Sequence, residues 1–152
     1  MGQLSGIARH DRPRGPMEEL SRVLVTRANG VAGDVRGTAR AGKRPRRQIS
    51  LIEVESWNAA IDELGGEALP WSARRANLLV EGTSLPREPG AVIGIGKSLR
   101  IEVTMECDPC KRMDEIRPGL KDALAPDWRG GVLGTVLEDG EIAVGDEVRI
   151  EE

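Results

Sequence analysis

The chain has 152 residues, with 22 Lys and Arg against 25 Asp and Glu and a formal charge of −3, which suits one domain around a single core and disfavours a generally basic nucleic-acid coat. Hydrophobic residues make up 39% and charged residues 31%, and no apolar run approaches the roughly 18 residues of a membrane span, so a soluble globular protein is expected. Three Trp with no Phe or Tyr leave the core to aliphatic side chains and exclude a stacked-ring platform for single-stranded nucleic acid, while 19 Gly and 9 Pro argue against a helical bundle.

Residues 3–9 and 22–27 have strand-like apolar patterning and are separated by a Pro- and Arg-containing stretch, 10–19. Residues 29–42 carry four glycines among small and charged residues and read as a long loop, of the kind that is often functional in so small a domain. Ser50 and Glu53 have capping-box spacing, and Val54, Trp57, Ile61 and Leu64 recur at helical intervals before Gly65, which predicts a helix over 51–64. Strands are expected at 78–80 and across 91–103, with a bend or turn at 94–98. A second helix is expected over 118–125, opened by Pro118, burying Leu120, Ala123 and Leu124, and stopped by Pro126. Residues 131–137 and 142–150 then read as two strands, with Asp139-Gly140 between them as a hairpin signal. Short strands without regular βαβ alternation predict a mainly β, closed or partly open barrel with two or so short helices, forming one domain over 1–152.

The two cysteines, Cys107 and Cys110, are too few for a disulfide framework, and the N-terminus shows neither an apolar signal region nor a myristoylation pattern, so a cytoplasmic protein is expected. Cys107-Asp-Pro-Cys110 could share a metal, form a redox pair, present one reactive thiolate at Cys110, or be buried as two small hydrophobes. A structural zinc site wants four ligands, and His10 is the single histidine. Lys111 and Arg112 favour a thiolate at Cys110, whereas Glu106, Asp108, Asp114 and Glu115 oppose it.

Arg36, Arg40, Lys43, Arg44, Arg46 and Arg47 put six cations into residues 36–47 with no acid among them, and Arg74-Arg75 add two more. Guanidinium forks suit phosphate and carboxylate, so a cationic rim for an anionic ligand competes with an ordinary solvated loop. On spacing alone, Gly33-Asp34 and Gly145-Asp146 read as turns. Gly94-Ile-Gly96 lacks the rest of a dinucleotide fingerprint, and an isolated His10 gives little support to acid-base catalysis.

Taken in order, Gly30-Val-Ala-Gly33-Asp34-Val-Arg36, Arg47-Gln-Ile-Ser-Leu51, Arg75-Ala-Asn77-Leu-Leu-Val-Glu-Gly82, Cys110, Gly130-Gly-Val-Leu-Gly134 and Gly140-Glu-Ile-Ala-Val-Gly-Asp146 resemble the MOSC domain, named for the C-terminal domain of molybdenum cofactor sulfurases. Each block is short, and their order across nearly the whole chain carries the resemblance.

The resemblance implies a β-rich barrel that handles the molybdenum cofactor, or sulfur destined for it. Cys110 would be the reactive or molybdenum-binding cysteine and Cys107 incidental. It recasts Gly33-Asp34 and Asn77 as pocket elements, and Arg36, Arg47, Arg74 and Arg75 as candidates for the cofactor's phosphate. A stand-alone member would bind no pyridoxal phosphate, and would need a cysteine desulfurase-type sulfur donor and a molybdoenzyme acceptor. The competing reading is a non-catalytic module that docks an anionic partner through the 36–47 loop, with Cys110 merely buried. Neither reading involves nucleic acid or a membrane.

Overall fold

A computed structural model describes residues 1–151. Alternation along the first strand, β1 (Gly2–Arg9), turns Leu4 into the core and leaves Gln3 exposed. After β1 come β2 (Glu18–Leu20), β3 (Arg22–Thr26), β4 (Gly30–Val31), β5 (Ile49–Glu53), helix α1 (Val54–Leu64) and β6 (Leu78–Glu81). Then follow β7 (Val92–Ile95), β8 (Leu99–Glu106), α2 (Lys111–Ile116), α3 (Leu120–Leu124), β9 (Val132–Glu138), β10 (Gly140–Ala143) and β11 (Glu147–Glu151).

Seven strands form a closed barrel in the order β11-β7-β8-β9-β5-β6-β1, and β1 returns to β11 through Gly2 opposite Val148 and Gln3 opposite Glu147. Closure leaves no unpaired edge around the ring. The β5–β6 pair is parallel and its neighbours are antiparallel. A parallel pair needs a crossover, and α1 supplies it. The remaining β2 flanks β1, while β10, β3 and β4 make a small second sheet.

Period-two alternation divides the apolar residues between two cores. Leu51 and Leu78 face the barrel interior with Leu4, Ile93, Ile101, Val103 and Val136. Their neighbours Ile52 and Leu79 point outward, where Trp57 and Ile61 of α1, Met113 of α2, and Leu120 and Leu124 of α3 cover them. With no Phe or Tyr available, close packing is achieved with branched aliphatics, each fully buried side chain contributing about 1.5–3 kcal/mol. Gly131, at φ +101°, permits the tight approach of β9 to β5, since a Cβ there would lie 2.2 Å from the Leu51 carbonyl oxygen.

Several expectations shift. The helix expected from residue 51 begins at Val54, because Ile49–Glu53 pairs with both β6 and β9 and those ladder bonds outweigh the capping-box spacing. Ser50 therefore caps nothing, and Glu53 accepts hydrogen bonds from Ser56 Oγ (2.7 Å) and the Leu85 N–H (2.7 Å). The helix expected over 118–125 is confined to Leu120–Leu124 and is preceded by the additional α2, giving three short α-helices among the described residues. Within the stretches read as irregular, β2 and β4 form short pairings with β1 and β3.

Asp139-Gly140 does not close a hairpin. The tight primed turn needs positive φ at its central residues, and neither Asp139 nor Gly140 has it. Instead Gly140 pairs with Val25, so the chain leaves the barrel for the small sheet, and the Asp139 carboxylate accepts the Arg27 N–H at 2.7 Å. The strand expected over 142–150 breaks at Gly145, φ +101°, where the Asp146 carboxylate accepts the Ala143 N–H at 2.9 Å.

Candidate functional site

The long loop between β4 and β5 is anchored by two buried side chains. Buried Gln48 donates from Nε2 to the carbonyls of Arg27 (2.8 Å) and Gly37 (3.0 Å), and its Oε1 accepts the Val136 N–H at 2.8 Å. Earlier in the loop Asp34, also buried, accepts the His10 N–H on Oδ1 (3.1 Å) and the Arg36 N–H on Oδ2 (3.2 Å). The Val35 N–H donates to the His10 carbonyl at 2.8 Å. Together these bonds hold the loop against the end of β1.

On the opposite wall, Asn77 links three segments. Its carboxamide oxygen accepts the Ser50 N–H at 3.0 Å, its nitrogen donates to the Ala8 carbonyl at 3.2 Å, and its own N–H donates to Ser50 Oγ at 3.0 Å. Asn77 thus shapes the wall with its polar atoms engaged by the protein. Arg75 sits at φ +66° and donates to the Gly15 carbonyl at 2.6 Å. The preceding Arg74 is buried and donates to the carbonyls of Gly130 (3.1 Å) and Cys107 (2.8 Å) and to Cys107 Sγ (3.2 Å).

These segments enclose a cavity of about 510 Å³. Of the residues singled out by resemblance, Asp34, Arg36, Arg47, Arg74, Arg75, Asn77 and Cys110 line it, and Gly33 does not. Cys110 is exposed and immediately precedes α2, whereas Cys107 is half-buried beside Arg74. The cationic loop is split by the fold. Arg36 and Arg47 reach the cavity, but Arg40, Lys43, Arg44 and Arg46 do not line it, and Arg44 pairs with Glu102 on β8.

Sequence reasoning set His10 aside and passed over Arg14, yet both line the cavity, as does Cys107. Arg112 was considered only for its proximity to Cys110, and it too faces the cavity. Nothing local distinguishes His10. Its surroundings come from residues 34, 36, 75 and 112, which only the closed barrel brings together.

The electrostatics follow from this crowding. Arg75 is pushed below the ordinary guanidinium value by burial and by the positive charges of Arg112 and Arg36, with Asp34 opposing, and it remains a cation. Burial lowers the His10 pKa, Asp34 partly restores it, and Arg75, Arg36 and Arg112 depress it further. Beside Cys107, Glu106 is pushed up by burial, then by a hydrogen bond with Asp108 and by its charge. Among the described residues, no group of three or more His, Cys, Asp or Glu is gathered as a metal site, and no helix is long and apolar enough to cross a membrane.

The MOSC domain model matches residues 33–149. No curated protein matches the sequence. Among solved structures, the chain is similar to the YuaD protein from Bacillus subtilis, with TM-score 0.80 and 21% identity over 97% of this chain and 94% of that one. It is also similar to YiiM from Geobacillus stearothermophilus, with TM-score 0.74 and 17% identity over 100% of this chain and 76% of that one. YiiM from Escherichia coli gives TM-score 0.70 and 15% identity over 99% and 70%. At these identities the likeness is one of fold.

Proposed function

The chain belongs to the MOSC domain family, and on that premise we propose that its cavity takes the molybdenum cofactor, with Cys110 as the thiol that ligates molybdenum or carries sulfur for it as a persulfide. The supporting observation is an exposed thiol at a cavity of about 510 Å³ that Arg14, Arg36, Arg47, Arg75 and Arg112 also line. That donor set fits the group, because guanidinium forks match a phosphate and a thiolate is a soft ligand. Bound there, the cofactor would supply a metal centre that accepts thiolate sulfur.

The chain's own residues then have separable tasks. Arg36, Arg47 and Arg75 receive the phosphate, Asp34 fixes the backbone of Arg36, and Asn77 holds the wall behind them. As a sulfur carrier, the Cys110 thiolate attacks the terminal sulfur of a donor's persulfide. A new sulfur–sulfur bond forms on Cys110, the donor's own bond breaks, and the donor leaves as a thiolate. A cysteine desulfurase-type donor and a molybdoenzyme acceptor complete the route, and a reducing cytoplasm keeps the thiols free.

The test is to incubate wild type and Cys110→Ala with cofactor released from a molybdoenzyme, desalt both, and assay pterin fluorescence and molybdenum. Wild type is expected to retain both, and a folded Cys110→Ala to lose molybdenum. Equal retention by the two removes Cys110 from the site, and no retention by either removes the cofactor. A second reading, a module that docks an anionic partner, rests on Arg40 and Lys43, which are exposed and outside the cavity. Under that reading, Arg40→Gln with Lys43→Gln abolishes partner binding while Cys110→Ala leaves it intact.

A further inference from the structure

His10 is a buried ring with an unused nitrogen. Its side chain is 9% exposed, and Nδ1 has no hydrogen-bond partner among the described residues. The nearest carboxylate oxygen, Asp34 Oδ1, stands 3.6 Å from Nδ1, beyond hydrogen-bond reach. Asp34 cannot readily move to close that gap, since its oxygens accept the backbone N–H groups of His10 and Arg36. An orphaned buried polar atom of this kind is destabilising, and the ring lines the same cavity as Arg36, Arg75 and Arg112.

We propose that His10 is the proton-accepting wall residue of a site for a tetrahedral dianion formed by Arg36, Arg75 and Arg112, so that the anion enters together with a proton. The inference deepens the reading of the cavity as an anion site and assigns a role to a residue outside that reading. The charged groups acting on His10 are Asp34 and Arg36 from the loop after β4, Arg75 ahead of β6, and Arg112 on α2. In the protein alone, burial and the three guanidinium groups favour the neutral ring, and Asp34 alone opposes them. A dianion among those guanidinium groups offsets their repulsion and adds its own attraction, and both effects favour the imidazolium. The proton on Nδ1 then faces Asp34, which gains a charged partner, and the cavity wall gains a positive charge. A phosphomonoester terminus and a free inorganic oxyanion share this chemistry.

Because His10 is the chain's single histidine, its ring resonances report the protonation state without ambiguity. The experiment is an NMR pH titration of the whole protein, alone and with saturating sulfate, which stays a dianion across the neutral range, and in a second arm with glycerol phosphate. Each probe is expected to raise the His10 midpoint, and affinity for sulfate is expected to fall about tenfold per pH unit between the two midpoints. Calorimetry in buffers of different ionisation enthalpy should register proton uptake with sulfate, abolished in His10→Gln. A midpoint unmoved at saturation, no binding of either probe, or uptake that persists in His10→Gln overturns the proposal. Should His10→Gln fail to fold, the wild-type titration decides alone. Tighter saturation by glycerol phosphate assigns the site to a phosphomonoester, and equal saturation to a free oxyanion. Neither probe carries molybdenum or pterin, so this result and cofactor retention at Cys110 can fail independently.

Discussion

His10 also sets an acid limit on stability. Its folded-state pKa lies below the ordinary value, so the unfolded chain binds the proton more readily. The stability contributed by the neutral buried ring is therefore present above about pH 6.5 and is lost as the pH falls through that value toward the folded pKa. Urea unfolding across this window should show a declining midpoint in wild type and a shallower decline in His10→Gln, and parallel profiles would remove His10 as the cause. The cavity's other residues differ in how legible they were. Asp34, Asn77 and Cys110 stand in ordered blocks that a resemblance can carry. For Arg74 the dipeptide Arg74-Arg75 suggested two equivalent phosphate ligands, yet Arg74 is buried with its N–H groups engaged by Gly130 and Cys107. Charge was visible in the sequence, but which of two adjacent arginines packs inward is decided by the left-handed backbone at Arg75.

Gln48 governs the element that carries Asp34 and Arg36. Replacing it with the similarly sized Leu leaves the carbonyls of Arg27 and Gly37 and the Val136 N–H without their partner, at a cost of about 1–3 kcal/mol for each group that water does not reach. Hydrogen exchange should then speed up across residues 27–48 more than in β8, and uniform acceleration would contradict an anchoring role. Gly131→Ala should destabilise the β5–β9 contact, because its Cβ would press on the Leu51 carbonyl at positive φ. The expected loss is about 1–3 kcal/mol, read from the unfolding midpoint. Element types were largely legible because period two and period 3.6 are local properties. Partners were not. Ser50 to Glu53 carries a helix-start spacing within a strand paired on both sides, and Asp139-Gly140 carries a hairpin dipeptide where the chain changes sheets. In both places long-range ladder bonds override the local preference.

For the molecule as a whole, the β1–β11 seam completes the barrel. Val148 lies within it, fully buried opposite Gly2. Val148→Asp puts an unpaired carboxylate there, which should cost several kcal/mol and bare the edges of β1 and β11. Size-exclusion chromatography should then show loss of the soluble form, whereas a stable soluble variant would mean that the ring tolerates an open seam. The cavity lies between the end of β1, the loop after β4, the start of β6 and the turn before α2, so a correct ring is also what gathers the arginines. The seam has a consequence for synthesis as well. Strand β1 leaves the ribosome well before its partner β11, which lies 148 − 2 = 146 positions later, from Gly2 to Val148, and such distant pairings are slow to form. Until β11 emerges the nascent chain therefore carries an open β1 edge available to other strands, and the arginines of the cavity acquire their final neighbours only once that pairing forms.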